Sequence, residues 1–246
     1  MLSMLERVHA IVLRLVKYND KTRIADVLTR EHGRMSFAVP DGAGKSKKSN
    51  ARVVWRPLAV LEFEADLKSK GTLPRPRDVR VSYNYSDIPY NPLKTMVAMF
   101  VDELLCGAVW GELSDTLLFD FVLTSLKWLD EKEGGYANFH IAFSIRLLDF
   151  IGIEPNMEAF NENYFDLQAS EYTDRQPLHQ HFLSGEEASA VARFMKIGYL
   201  NMHRFHLNRH QRKRVLEVVN DYYMLHVPDF RRLKSIDVLT DALTRE

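Results

Sequence analysis

Val79-Arg80-Val81-Ser82-Tyr83-Asn84-Tyr85, then Ser86-Asp87-Ile88-Pro89-Tyr90-Asn91-Pro92, then Leu93, Met96, Val97, Phe100, Val101, Leu104 and Leu105: across these residues the chain changes period. The first segment alternates apolar and polar side chains, the pattern of a half-buried strand. The last repeats at three and four residues, a helical face, and Pro92 sits at the first helical position, where its missing N–H costs nothing. The turn-forming residues between them separate a strand-rich part from a helix-rich part.

Upstream, residues 8–18 are rich in Val, Ile and Leu and have no helix cap ahead of them. Residues 22–29 form a second short run, and Glu31-His32-Gly33-Arg34 supplies a Gly-containing turn into a third, 35–39. The polar loop Pro40-Asp41-Gly42-Ala43-Gly44-Lys45-Ser46-Lys47-Lys48-Ser49-Asn50 follows, and residues 53–63 resume with β-branched and aromatic side chains. With 79–85 this makes five short strands, the number of a small closed barrel of the OB type. Downstream, residues 115–129, 139–151, 186–200 and 209–225 read as further helices, with Gly152 and Pro155 ending the second of these. Residues 156–177 are polar and irregular. The expected fold is α+β: an N-terminal five-stranded OB-fold β-barrel over residues 1–85, then an α-helical C-terminal domain over 86–246.

The charge supports that division. The 246 residues carry 33 Lys and Arg against 33 Asp and Glu. Residues 1–80 hold 17 basic and 9 acidic side chains, a surplus of eight positive; residues 81–246 hold 16 and 24, a surplus of eight negative. A basic third joined to an acidic remainder points to a polyanion partner for the first. The single cysteine, Cys106, excludes an intrachain disulfide framework and a thiolate-rich zinc site. With no signal-peptide core and no apolar run of membrane-spanning length, the expectation is a cytoplasmic protein with no membrane contact.

Gly44-Lys45-Ser46 resembles the end of a phosphate-binding loop, but that pattern requires Gly where Val39 stands and a helix directly after Ser46. Three lysines among small residues suit another task, following a phosphate backbone. Arg14, Arg23, Arg30, Arg34, Arg52 and Arg56 surround the loop in sequence, with Tyr18, Phe37 and Trp55 nearby. Cations that neutralise phosphates and aromatic faces that stack on bases are what single-strand binding requires, although Phe37 and Trp55 fall in strands, where core packing is the commoner role. His203, His206 and His210 would share one face of a helix, a geometry open to zinc. No carboxylate lies within 202–214, however, and Arg204, Arg209, Arg212, Lys213 and Arg214 surround the histidines, which disfavours a cation and favours an acidic partner. Cys106 lies in an apolar helical run, an inert setting for a thiol. No G-x-S-x-G or H-E-x-x-H appears, and the carboxylate pairs Asp102-Glu103 and Glu186-Glu187 read as helix-start and solvent-face charges, so no catalytic residue and no metal or cofactor is expected.

Ala10-Ile11-Val12-Leu13 with Tyr18, Leu28-Thr29-Arg30-Glu31-His32-Gly33-Arg34, the loop Gly42-Ala43-Gly44-Lys45-Ser46-Lys47-Lys48-Ser49, Phe100-Val101-Asp102-Glu103-Leu104-Leu105, residues 139–152, and Leu233-Lys234-Ser235 with Val238-Leu239 follow one another along the chain. In that order these segments resemble the bacterial recombination mediator family RecO. The resemblance implies an OB-fold followed by a helical domain, without enzyme activity. It also implies binding of single- and double-stranded DNA, annealing of complementary strands, recognition of the acidic C-terminal tail of single-strand DNA-binding protein (SSB), and action with RecR in loading RecA. Some members carry a four-cysteine zinc module, and the corresponding stretch, 161–182, holds no cysteine, so that site is not carried over. On this basis Arg14, Arg23, Arg34, Lys45, Lys47, Lys48, Arg52 and Arg56 are the expected DNA-binding residues. Arg204, Arg209, Arg212, Lys213 and Lys234 are expected to meet the SSB tail or another partner. The rival expectations are an OB-fold that binds RNA, or an adaptor whose basic loop meets an acidic protein.

Overall fold

A computed structural model of the chain describes residues 5–41, 54–67, 72–110, 116–159 and 163–242. The protein forms two compact units, Met1–Tyr90 with Val109–Asp130, and Asn91–Ala108 with Glu131–Glu246.

The first unit is built on β1 (Glu6–Lys17), β2 (Thr22–Thr29), β3 (Gly33–Pro40), β4 (Val60–Ala65) and β5 (Arg77–Tyr83), an antiparallel sheet in the order β3-β2-β1-β4-β5. Alternation decides which face is buried: Val8, Ala10, Val12, Ala25, Val27, Phe37, Leu61 and Phe63 form one core, with Phe37 edge-on to Phe63 at 5.0 Å. The sheet curls towards closure, because the backbone N–H of Ala38 in β3 donates to the Pro74 carbonyl ahead of β5 at 3.0 Å. This is the five-stranded OB-type barrel that the strand count predicts. The β2–β3 turn is fixed by Thr29, whose Oγ1 donates to the Gly33 carbonyl (2.8 Å) and accepts from the His32 N–H, while Gly33 takes a φ of 66° that a side chain would resist.

Two expectations for this unit need correcting. The fourth strand starts at Val60, not at residue 53, because Arg56-Pro57-Leu58 makes a turn: Pro57 has no N–H to offer a ladder, and Leu58 adopts a φ of 61°. Phe37 and Trp55 are core residues at 0% and 4% exposure, so neither faces a ligand.

Helix α2 (Thr116–Glu131) belongs to the barrel unit up to Asp130. Its buried Asp130 accepts from the backbone N–H groups of Ser86 (2.8 Å), Asp87 (2.9 Å) and Ile88 (2.9 Å) and from the hydroxyls of Ser86 and Tyr83. Burial alone would push this carboxyl up, but the three N–H donors and the Ser86 hydroxyl outweigh it and hold Asp130 below the usual carboxylate range.

In the second unit α1 (Pro92–Ala108) packs on α3 (Phe139–Ile151) and α6 (Ser235–Ala242), and α5 (Arg209–His226) packs on α3 and α6. Helix α3 ends as expected at Gly152, in the left-handed conformation (φ 71°). Helix α4 (Gly185–Phe194) is shorter than its period suggests. Asn201 accepts from the Gly198 N–H (2.8 Å) and donates to the Lys196 carbonyl (2.9 Å), drawing residues 196–201 into turns. The stretch expected to be irregular holds β6 (Tyr164–Asp166) and β7 (Glu171–Thr173), which with β8 (Phe182–Ser184) beyond it form a small antiparallel sheet in the order β7-β6-β8. Aromatic packing and hydrogen bonds hold it: Phe165 lies edge-on to Tyr172 at 4.9 Å, and the Tyr172 hydroxyl donates to the Ala188 carbonyl at 2.8 Å.

His140 on α3 is fully buried, edge-on to Phe100, and neither ring nitrogen has a hydrogen-bond partner among the described residues. Burial, aided by the Arg212 charge, pushes its pKa down to about 3. The ring therefore stays neutral in the folded state while the unfolded chain takes up a proton below its ordinary value. Stability is lost as pH falls from there towards the folded value. Asp102 on α1 tilts the parent protein the other way, since burial, with Glu103 beside it, pushes its carboxyl up to about 7. The His140 contribution is isolated by difference: between about pH 7.5 and pH 5 the parent should lose about 2 kcal/mol relative to His140→Leu in urea unfolding. A difference that stays constant with pH would contradict a buried neutral imidazole.

Candidate functional site

The barrel presents a groove of about 700 Å³ between its β1–β2 turn and the chain that leads into β5. The turn is rigid: the Tyr18 and Asn19 N–H groups both donate to the Thr22 carbonyl at 3.1 Å, and Asn19 Oδ1 accepts from the Lys21 N–H at 2.9 Å. This conformation leaves the Tyr18 ring 69% exposed at the groove wall. Across from it, Leu73-Pro74-Arg75-Pro76-Arg77 is held extended by its two prolines and by the Ala38–Pro74 hydrogen bond. Arg75 and Arg77 line the groove with exposed side chains that form no ion pair with any described residue. A phenol face and two guanidinium groups without an ion pair among the described residues are the chemistry that suits stacking on a base and contact with phosphate, and these two loops correspond to the ones with which OB-folds hold oligonucleotides.

The basic residues expected at this interface fare differently. Register places Arg14 opposite Asp26, and its Nη2 donates to Asp26 Oδ2 at 2.7 Å. Asp26 also accepts from the Ser36 hydroxyl at 2.6 Å and lies 3.6 Å from Arg34. Burial raises the Asp26 pKa, but the Ser36 and Arg14 hydrogen bonds and the two arginine charges together hold it below the usual range. Arg34 donates to the Val109 carbonyl at 2.7 Å and keeps only 20% side-chain exposure. Arg23 lies 3.3 Å from Asp41. Arg56 is exposed and forms no ion pair with a described residue. Lys45, Lys47, Lys48 and Arg52 lie outside the described residues.

The second unit carries a composite site. An almost wholly apolar cleft of about 110 Å³ opens among α3, the small sheet, α4 and α5, with Leu148, Phe165, Leu183, Phe194, Val218 and Tyr222 in its walls. A wider groove adjoins it, with Arg193, Arg204, His206 and His210 around a floor of Phe194, Phe205 and Leu207. Arg214 and Glu187 line both. Arg214 donates through Nε and Nη2 to the two Glu187 oxygens at 2.7 and 2.8 Å, a fork-to-carboxylate pair that holds Glu187 below the usual range.

Of the five residues expected to meet a partner, Arg204 lines this groove. Arg209 is exposed at the start of α5. Arg212 is half-buried and donates to Asn138 Oδ1 at 3.4 Å and to the Leu207 carbonyl at 3.3 Å. Lys213 lies 4.0 Å from Glu217 and 3.9 Å from Asp237, and the exposed Lys234 donates its backbone N–H to Glu103 at 2.9 Å. The histidines do not share a helical face. His203 lies in a single 3-10 turn (Met202–Arg204), His206 at the centre of a tight turn closed by the Leu207 N–H on the Phe205 carbonyl, and His210 in the first turn of α5, whose start is set by the Asn208–Gln211 capping box. Arg75, Arg77 and Arg193 were missed, and Arg214, though counted among the cations around the histidines, was not assigned to the partner. For Arg75 and Arg77 the available signal was arginine alternating with proline. For Arg214 it was the i, i+4 step from His210.

No helix among the described residues is long and apolar enough to cross a membrane. Two family models match the chain: "Recombination protein O N terminal" over residues 4–85 and "Recombination protein O C terminal" over residues 89–235. The DNA repair protein RecO of Phocaeicola vulgatus is 40% identical over 243 residues, covering 98% of this chain and 100% of that protein. The protein of the same name from Bacteroides fragilis is 38% identical over 241 residues (97% and 99%), and that from Porphyromonas gingivalis is 32% identical over 235 residues (94% and 96%).

Proposed function

Because the chain belongs to the recombination protein O family, we propose that it is a non-enzymatic DNA repair and recombination mediator that binds and anneals single-stranded DNA. It acts in the cytoplasm at the nucleoid and, with RecR, helps to load RecA on SSB-coated strands. The observation that carries the DNA reading is the barrel groove with its exposed Tyr18 and with Arg75 and Arg77, which form no ion pair with a described residue. Division of labour follows the two segments, DNA on residues 1–85 and the protein partner on 86–246.

Annealing is opposed by repulsion between phosphates, so a cationic platform speeds it without any bond chemistry. Lys45, Lys47, Lys48, Arg52 and Arg56 extend that platform from the groove. Arg14 and Arg23 add what charge their carboxylate pairs leave exposed, and Arg34 serves chiefly to order the barrel wall. In the second unit the acidic SSB tail follows the groove of Arg193, Arg204 and His210 and brings its terminal carboxylate to Arg214, with its last apolar side chain in the adjoining cleft. Arg209, Lys213 and Lys234 add longer-range attraction for that tail.

Annealing of complementary oligonucleotides, bare and coated with SSB, tests this reading. The parent protein should accelerate both, and joint replacement of Lys45, Lys47 and Lys48 by Ala should slow both by about tenfold or more. No acceleration by the parent, or equal acceleration of RNA strands with no preference for DNA, would contradict it.

A further inference from the structure

The Arg214–Glu187 pair is the one feature shared by the apolar cleft and the basic groove that is charged on both sides. We infer that Glu187 is a built-in competitor: its carboxylate occupies the Arg214 fork in the unbound protein, latches α4 to α5 between groove and cleft, and must be displaced by the carboxylate of an incoming acidic peptide. The inference rests on the tail reading of this site and adds its regulation.

Three observations carry it. Both residues line both spaces, so the pair stands where a ligand would pass from the charged groove to the apolar cleft. The pairing is bidentate, and a guanidinium fork that has both donors on one carboxylate has none free in that direction for a second. The side chains are 48% and 46% exposed, so water reaches the pair and exchange of one carboxylate for another is inexpensive. A peptide carboxylate taking the place of Glu187 keeps the arginine paired throughout. The released Glu187 remains in the first turn of α4, where the helix N-terminus favours an anion. Glu187 and its neighbour Glu186 also repel anionic chains that bring no apolar side chain to fill the cleft, so the device selects for an acidic peptide ending in a large apolar residue.

The experiment measures the affinity of the full chain for a short poly-aspartate peptide ending in phenylalanine with a free carboxylate, and for its C-terminally amidated form. Glu187→Gln removes the competing charge and keeps the shape, and should tighten the free-acid peptide by about three- to tenfold, with little change for the amide. Arg214→Ala should weaken the free acid by at least tenfold. If Glu187→Gln binds no tighter than the parent while Arg214→Ala loses binding, the latch is wrong and the tail reading stands. If Arg214→Ala and Arg204→Ala both bind like the parent, the tail reading fails and takes the latch with it. Thermal midpoints of each variant, and Arg214→Lys alongside Arg214→Ala, separate loss of the fork from loss of fold.

Discussion

Replacing Tyr18 with Ala and both Arg75 and Arg77 with Gln lowers affinity for single-stranded DNA by about a hundredfold at moderate salt, read by fluorescence anisotropy with a labelled oligonucleotide. Loss of one base–aromatic stack is worth about 1–3 kcal/mol, and loss of two phosphate contacts adds a comparable, salt-dependent amount. The contributions separate. Tyr18→Ala alone should weaken binding equally at low and high salt, whereas the arginine pair should lower the magnitude of the salt slope by about two. Glutamine is the appropriate replacement because Arg77 stands opposite Glu64 in the β4–β5 register, where a carboxylate would add like-charge repulsion. The fold should survive, since all three side chains are exposed and the two arginines form no ion pair with a described residue. Parent-like affinity in the triple variant would remove the groove from the interface.

Asp130→Ala should cost the barrel unit about 3–5 kcal/mol, the largest stability effect expected of a single substitution here. The reason is what the carboxylate leaves behind. Three backbone N–H groups, on Ser86, Asp87 and Ile88, lose their acceptor together, and Ile88 is itself buried. Alanine can supply none of these bonds. The sign of the pH dependence follows from the depressed carboxyl. Its stabilisation is complete above the usual aspartate range, near pH 4, and is lost as pH falls through the lower folded value. The parent should therefore lose stability on acidification in a way the variant does not. Urea unfolding at neutral pH and at about pH 3 checks both statements, and a variant within 1 kcal/mol of the parent at neutral pH would show that water or a rearranged segment satisfies those donors.

The fold was legible wherever a period ran long enough to register. Residues 79–85 alternate, and residues 93–105 repeat at helical spacing, and the chain changes from strand to helix between them. Strands of three residues have no period to read, which is why β6 and β7 passed for irregular chain. Nothing in the apolar face of Thr116–Glu131 says which unit it joins; the connection made by Asp130 does, and that is a tertiary fact.

Legibility of the site was limited by charge counting. Arg14 and Asp26 are twelve residues apart in sequence but opposite one another in the β1–β2 register, so a cation that counts towards the basic surplus is neutralised by its cross-strand partner. Arg23 is neutralised by Asp41, which lies just past the end of β3 and not opposite it in the register. Arg75 and Arg77, which form no ion pair with a described residue although Arg77 stands opposite Glu64, sit where the β4–β5 connection enters β5, a stretch that carries no motif. In the second unit the basic segment around residues 204–214 was legible as a positive island, but the apolar cleft behind it was not, because its walls come from α3, α4, α5 and the small sheet.

If the basic barrel binds DNA through its phosphates, as proposed, the affinity for single-stranded DNA depends steeply on salt. With the parent protein titrated alongside the Tyr18, Arg75 and Arg77 variant, log affinity should fall linearly with log salt at a slope of about −3 or steeper, and the variant should show a shallower slope at lower affinity. A parent slope near zero, or identical lines for the two proteins, would contradict phosphate binding by the barrel.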